Sequence, residues 1–458
     1  MDHMENIFDF DETLIEKMAH ECRLASYIEP ELYEKYNVKR GLRNADGTGV
    51  LVGLTNVGDV RGYYIEENEK IPMEGKLLYR GIRLTDLVKG FQAQHRYGFE
   101  EITFLLLTGR LPTAEELKEF IKELGEMRRL PEGFAEDMIM KAPSPNLMNK
   151  LQRSVLATYS YDDNAEDMSI ENQMRQAVKL IASLPTMAAY AYQAKAHYCD
   201  GRSLYIHNPD PDLSTSEVIL QMIRHDSKYT PLEAEILDLC LVVHAEHGGG
   251  NNSSFTINVV SSTGTDTYSA VSAAIGSLKG PRHGGANLKV MEMMNNIKAN
   301  IDDWDDEQKI LDYLVKIIRR EAFDRTGLIY GMGHAIYTLS DPRAVLLKAK
   351  AEELSVEKGR EKEFRLYSNI EKLTTKAFEI AKGQSRTICA NVDLYSGFVY
   401  SMLNIPIELY TPLFAIGRIS GWCAHRLEEV AYNGKLIRPA FKNTGAKQQY
   451  IPLDERVQ

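Results

Sequence analysis

At 458 residues, with 44% hydrophobic and 26% charged residues, the chain has the composition of a folded enzyme and the length of two packed domains or one large helical body, which excludes chain-wide disorder. A net charge of −11 and the lack of a strong basic run argue against a nucleic-acid partner, while leaving room for a local basic pocket that takes anionic substrates. The five cysteines (Cys22, Cys199, Cys240, Cys389 and Cys423) are scattered without a Cys-x-x-Cys pair and read as reduced thiols, with Cys240 and Cys423 acting as small hydrophobes inside apolar helical patterns.

Along the chain, the first twenty residues carry Asp2, Glu5, Asp9, Asp11, Glu12 and Glu16 against Lys17, the reverse of a signal or transit peptide. No apolar run is long enough to span a bilayer, so a cytoplasmic location and no membrane partner are expected. Strand signals are few: residues 50–55 and 59–65 suggest a short hairpin around Gly58. The rest reads as helix. Thr113 to Glu116 spells a capping box, followed by Leu117, Phe120, Ile121 and Leu124 at one-face spacing. Thr230, Pro231 and Glu233 repeat the signal and start a helix that passes Ile236, Leu237 and Cys240 toward His244 and ends by Gly248–Gly250. Another helix starts near Asp302–Glu307 and ends near Arg319–Arg320, with acid and base placed to suit its dipole. Asp341-Pro342 and Thr411-Pro412 start two more, and the polar stretches near 200–215 and 357–365 read as loops or connections.

Four segments can carry chemistry. The first is His244-Ala245-Glu246-His247-Gly248-Gly249-Gly250-Asn251-Asn252: residues three apart share a helix face, and the glycines let backbone approach a ligand. It is compatible with a zinc site, with an anion site, or with a plain glycine-capped helix end. In Gly280-Pro281-Arg282-His283-Gly284-Gly285-Ala286-Asn287, which follows a small-residue helix at 270–277, a break can aim His283 into a cleft, although a His beside Gly is often only a turn residue. Gly331-Met332-Gly333-His334-Ala335 lacks the spacing of a dinucleotide fingerprint. The Asp341-Pro342-Arg343 that follows it puts a guanidinium in a first helical turn, where it can hold a carboxylate or simply face solvent. In Asn391-Val392-Asp393-Leu394-Tyr395-Ser396-Gly397, Asp393 between apolar neighbours is either a buried base or a helix cap.

In order and in content these segments resemble the motifs of the citrate synthase family. The likeness runs from about residue 71 to the C-terminus and includes Tyr79-Arg80-Gly81-Ile82, Phe99-Glu100-Glu101, Leu107-Thr108-Gly109-Arg110-Leu111-Pro112, Arg438-Pro439 and Tyr450-Ile451-Pro452-Leu453. The resemblance implies a mainly α fold with a large domain (1–283 and 391–458), an inserted small domain (284–390) and the active site in the cleft between them. It implies condensation of acetyl-CoA with oxaloacetate, followed by hydrolysis of the thioester. His283 would donate to the acetyl-CoA carbonyl, His334 would polarise the oxaloacetate ketone and Asp393 would remove the methyl proton. The oxaloacetate carboxylates would fall to His247, Arg343, Arg418 and Arg438, the last reaching in from the partner of a homodimer. No metal or cofactor is implied.

The chemistry suits these roles, because a thioester methyl is a very weak acid and needs a desolvated base on one side and a donor at its carbonyl on the other. Three positions depart from the commonest family pattern: Glu246 stands for Asp, Gly248 for an acidic residue and Ala390 for Pro. A 2-methylcitrate synthase using propionyl-CoA would share every residue named. A zinc hydrolase built on His244, Glu246 and His247 would leave His283, His334, Asp393 and the arginines unexplained, and a non-catalytic helical binding protein would leave all of them without a purpose.

Overall fold

The computed structural model describes residues 12–67, 69–383 and 387–456. Asp2, Glu5, Asp9 and Asp11 of the acidic N-terminal pattern lie outside the described residues. The chain divides into two compact units, one of 1–53 with 438–458 and the other of 54–437. The terminal unit holds the helices Glu12–Ala25 and Glu31–Lys35, and none of its described residues is buried. Among the described residues, no helix is long and apolar enough to cross a membrane.

Among its described residues, the regular structure of the second unit is helical apart from a small antiparallel sheet of β1 (Gly58–Glu66), β2 (Glu69–Tyr79) and β3 (Ile82–Arg83). The expected hairpin is therefore displaced. Residues 50–55 carry no strand, Gly58 opens β1 rather than turning it, and the reversal follows Glu66, with Glu67 at φ 49° in the left-handed region that a tight turn needs.

The helix signals hold where capping chemistry is explicit. Thr113 and Thr230 both close full capping boxes, on the helices Ala114–Met127 and Pro231–His244. Asp306 caps Glu307–Ile318 and Asp341 caps Pro342–Glu357. The last long helix, Tyr410–Tyr432, begins one residue before Thr411. The stretch at 357–365 is mostly helix rather than loop, because Gly359 at φ +64° reverses the chain quickly enough for a new helix to run over Glu361–Lys382. Cys240 and Cys423 are buried in their helices, as their apolar neighbours dictate.

The core is built around the 29-residue helix Ile170–Tyr198 and helix Tyr410–Tyr432, which packs on it and on Phe99–Thr108, Pro231–His244 and Asn252–Ser261. Two glycines of Tyr410–Tyr432 allow the closest approach. A Cβ on Gly417 would lie 2.8 Å from the Leu241 carbonyl, and one on Gly421 would collide with the Ala245 carbonyl, to which the Gly421 N–H donates at 3.1 Å. That contact lies just past the end of Pro231–His244, which stops at His244, short of the triple glycine. It also sets Arg418 against the end of that helix.

Candidate active site

Six of the seven site residues expected from the sequence line one cavity of about 160 Å³: His247, His283, His334, Arg343, Asp393 and Arg418. The seventh, Arg438, belongs to the terminal unit and is solvent-exposed.

Asp393 and His334 meet because their segments are stitched together. The Gly333 N–H donates to the Cys389 carbonyl at 2.7 Å, Met332 bridges Ala390, and the Asn391 N–H donates to the Gly331 carbonyl at 2.9 Å. Gly331 and Gly333 sit at φ +82° and +90°, so this loop needs glycine at both positions. Asn391, not Asp393, is the helix cap: its side chain accepts from the Asp393 N–H at 3.0 Å and donates to the Gly333 carbonyl at 2.9 Å. Asp393 is thus left with its carboxylate facing the cavity, and burial pushes its pKa up to about 6.

The histidines are held in different ways. His334 Nδ1 accepts from the backbone N–H groups of Ile336 and Tyr337 at 3.1 and 3.2 Å. The neutral ring therefore carries its proton on Nε2. Tyr337 stacks on it at 4.6 Å. His283 sits in the tight turn that follows helix Thr267–Lys279, its Nε2 at 3.2 Å from Ser253 Oγ, which also accepts from Trp422 Nε1 at 3.1 Å. Burial and the nearby Arg418 lower the His283 pKa to about 4, so the ring is neutral at pH 7. His247 packs edge-on to His334 at 5.1 Å, and burial together with Arg343 pushes its pKa well down.

One end of the cavity is rich in unused polar nitrogens. Both outer nitrogens of Arg418, both ring nitrogens of His244 and Nε2 of His247 are buried without a hydrogen-bond partner. Arg418 spends Nε on the His244 carbonyl at 2.5 Å, and burial lowers its pKa to about 10 although Glu246 opposes the shift. Arg343, in the first turn of its helix as the sequence suggests, is forked onto Asp341 at 3.0 and 2.7 Å. Buried polar groups left empty are costly. The neutral His244 ring offers one donor and one acceptor, and with the two Arg418 nitrogens the cluster is rigid and donor-rich, which is what a small dianion requires.

Glu246 turns away from this cluster. Its carboxylate is wholly buried, meets His425 at 3.1 Å and accepts from the Gly248 N–H, so the His-Glu-His spacing does not converge on one point. Among the described residues, no group of three or more His, Cys, Asp or Glu side chains is placed to hold a metal ion. A second cavity of about 480 Å³ adjoins the first, sharing His334 and Asn391, with Ile329, Tyr330, Met332, Phe378 and Lys382 in its walls.

Sequence reasoning missed Asn287, Ser253, Asp341 and Tyr400 as parts of the site. Asn287 and Asp341 lay inside segments already singled out, and Tyr400 stands seven residues after Asp393, two helical turns along the same face. Ser253 gave no signal in the sequence.

Comparison with known proteins gives a consistent outcome. The model of the family described as citrate synthase, C-terminal domain, matches residues 46–440, so the likeness starts earlier than about residue 71. A citrate synthase of Haloferax volcanii is 35% identical over 92% of this chain and 99% of its own. A 2-methylcitrate synthase of Shewanella oneidensis is 31% identical over 83% and 92%. The crystal structure of citrate synthase from Pyrobaculum aerophilum aligns with a TM-score of 0.73 and 31% identity, covering 89% of this chain and 94% of that one.

Proposed function

Since the chain belongs to the citrate synthase family, we propose that this cavity condenses acetyl-CoA with oxaloacetate and then hydrolyses the thioester to citrate and CoA. The observation that carries the reading is the pairing, in one cavity, of a carboxylate of raised pKa with an empty cluster of buried donors. Oxaloacetate takes the donor end, its carboxylates on Arg418, Arg343, His247 and His244. His334, with its proton on Nε2, donates to the ketone oxygen and makes its carbon electrophilic. Asp393 takes the methyl proton of acetyl-CoA as His283 donates to the thioester carbonyl, Ser253 in turn donating to the far edge of that ring. A neutral imidazole with a low pKa is a suitable partner for a forming enol, because it stabilises charge without carrying its own. The reaction uses no metal or cofactor.

The neighbouring cavity, with apolar walls and Lys382 at its edge, suits the acyl-CoA tail. Residues 284–390 form the small domain that closes over the substrates and excludes water until condensation is complete. Two copies pair as a homodimer, Arg438 of each completing the donor cluster of the other, and the enzyme works in the cytoplasm.

Purified chain mixed with oxaloacetate and either acetyl-CoA or propionyl-CoA tests the reading, with free thiol as the readout. Fast, oxaloacetate-dependent release from acetyl-CoA is expected. A preference for propionyl-CoA would keep the mechanism and change the substrate, a difference of one methylene that pockets discriminate by only about 1–3 kcal/mol. No release from either would sink the reading.

A further inference from the structure

The condensation accounts for His283, His334 and Asp393, but the second half of the reaction needs a water at the thioester, and nothing named so far holds one. Two buried polar atoms that line the cavity with Asp393 lack a strong hydrogen-bond partner. Asn287 is 8% exposed, and its amide nitrogen donates to Ser396 Oγ at 2.6 Å, leaving Oδ1 without a partner. Tyr400 is wholly buried, and beyond the weakly bonding Cys240 thiol beside it its hydroxyl has no hydrogen-bond partner, with Asp393 and Tyr410 the other polar side chains acting on it. Both residues line the same cavity as Asp393.

Their placement follows from helix Val392–Met402. Asp393, Gly397 and Tyr400 are spaced i, i+4 and i+7, a single face. Gly397 lies between the two side chains, and a Cβ there would come within 2.6 Å of Asn287 Oδ1, so only glycine lets the amide lie against the helix at this level. One orphan is an acceptor. It repels a carboxylate oxygen, so oxaloacetate does not satisfy it, and it calls for an O–H. The other can donate. A water bridging an unpaired acceptor and a hydroxyl held only by a weak thiol suits both, and the cavity far exceeds the ~15 Å³ that one water needs.

We propose that Tyr400 Oη and Asn287 Oδ1 position the water that hydrolyses the citryl thioester beside Asp393. The inference rests on the reading of Asp393 as the base of the condensation. Once the methyl proton has passed to the new hydroxyl of citryl-CoA, Asp393 is again a carboxylate. The water oxygen bonds to the thioester carbon as Asp393 takes one of its protons. The tetrahedral intermediate collapses, the C–S bond breaks, and Asp393 returns that proton to the departing sulfur as CoA leaves. The second water proton leaves the new carboxylic acid for solvent. Tyr400 and Asn287 touch the water and not the carbon skeleton, which makes them positioning residues.

The test supplies citryl-CoA directly to wild type, Tyr400→Phe and Asn287→Ala, and in parallel follows a single turnover from acetyl-CoA and oxaloacetate by rapid quench. The expected result is a fall in citryl-CoA hydrolysis of at least about tenfold in Tyr400→Phe, with a smaller change in the first-turnover loss of acetyl-CoA, so that citryl-CoA accumulates. Asn287→Ala shifts the same ratio in the same direction. Tyr400→Phe keeps the ring against Tyr410 and removes an oxygen whose only bonding neighbour is the weak Cys240 thiol, so its melting temperature should change little. Hydrolysis of citryl-CoA at the wild-type rate by Tyr400→Phe would overturn the inference, as would an equal loss of both half-reactions. A wild-type chain that neither condenses nor hydrolyses would overturn the underlying reading instead.

Discussion

The Asn391 side chain donates to the Gly333 carbonyl at 2.9 Å, and through that bond the helix carrying Asp393 is tied to the loop carrying His334. With the Gly333–Cys389 and Asn391–Gly331 backbone bonds, this amide sets Asp393 relative to His334. Asn391→Ala removes both this tie and the helix cap. It should lower kcat by about 10–100-fold through misplacement alone, with a stability loss near 1 kcal/mol. Steady-state kinetics with a parallel melting curve checks this, and an unchanged kcat would mean that the loop is held by other contacts.

Asp393→Asn should cut turnover by at least about 10²–10⁴-fold while oxaloacetate still binds. The same substitution should also stabilise the protein. The folded pKa of about 6 lies above the unfolded value near 3.9, so the folded state holds the proton more tightly. That contribution is fully present below about pH 4 and is lost as pH rises through 6. At pH 8 the ionised Asp393 therefore costs up to about 3 kcal/mol, and the Asn variant escapes this cost. Urea unfolding at pH 8 and pH 4 should show a gain at the first and none at the second. In wild type, kcat/KM should fall on the acid side near pH 6.

The empty donors around Arg418 predict a ligand effect on stability. Oxaloacetate alone should raise the melting temperature of the wild type, since it binds only the folded state. Arg418→Met should raise the melting temperature of the free protein, abolish the ligand shift and raise KM for oxaloacetate at least about 100-fold, corresponding to about 3 kcal/mol of charged hydrogen bonding. A retained shift would place the dianion elsewhere.

Gly58→Ala probes the ground beneath the site. Its Cβ would fall 2.6 Å from Glu246 Oε1 and 2.7 Å from Cγ, against a side chain that is wholly buried and fixed by His425. Overpacking of this kind costs about 1–3 kcal/mol, which calorimetry would register as a lower melting temperature. A neutral substitution would mean that Glu246 has room to move.

How much was legible in the sequence depended on whether the signal was local. Capping boxes at Thr113 and Thr230 are short-range chemistry and read correctly. The hairpin was misplaced because residues 50–55 are apolar without being paired, and pairing is a non-local property. The four chemical segments were found as motifs, yet the bonds that join them, such as Asn391 to Gly333 and Ser253 to His283, connect residues 58 and 30 positions apart. Asn287 lay inside a recognised segment and Tyr400 two helical turns beyond Asp393, but a side-chain atom without a strong partner is visible only once the cavity around it exists.

The central claim is that Asp393 takes the methyl proton while His334 and the donor cluster hold the four-carbon acid. Its most direct test is the exchange of acetyl-CoA methyl protons in deuterated water, followed by proton NMR, with malate as a non-reacting substitute for oxaloacetate. Wild type should wash out the methyl signal in a malate-dependent manner, and Asp393→Asn should leave it intact. Exchange by the Asn variant at the wild-type rate would contradict the account.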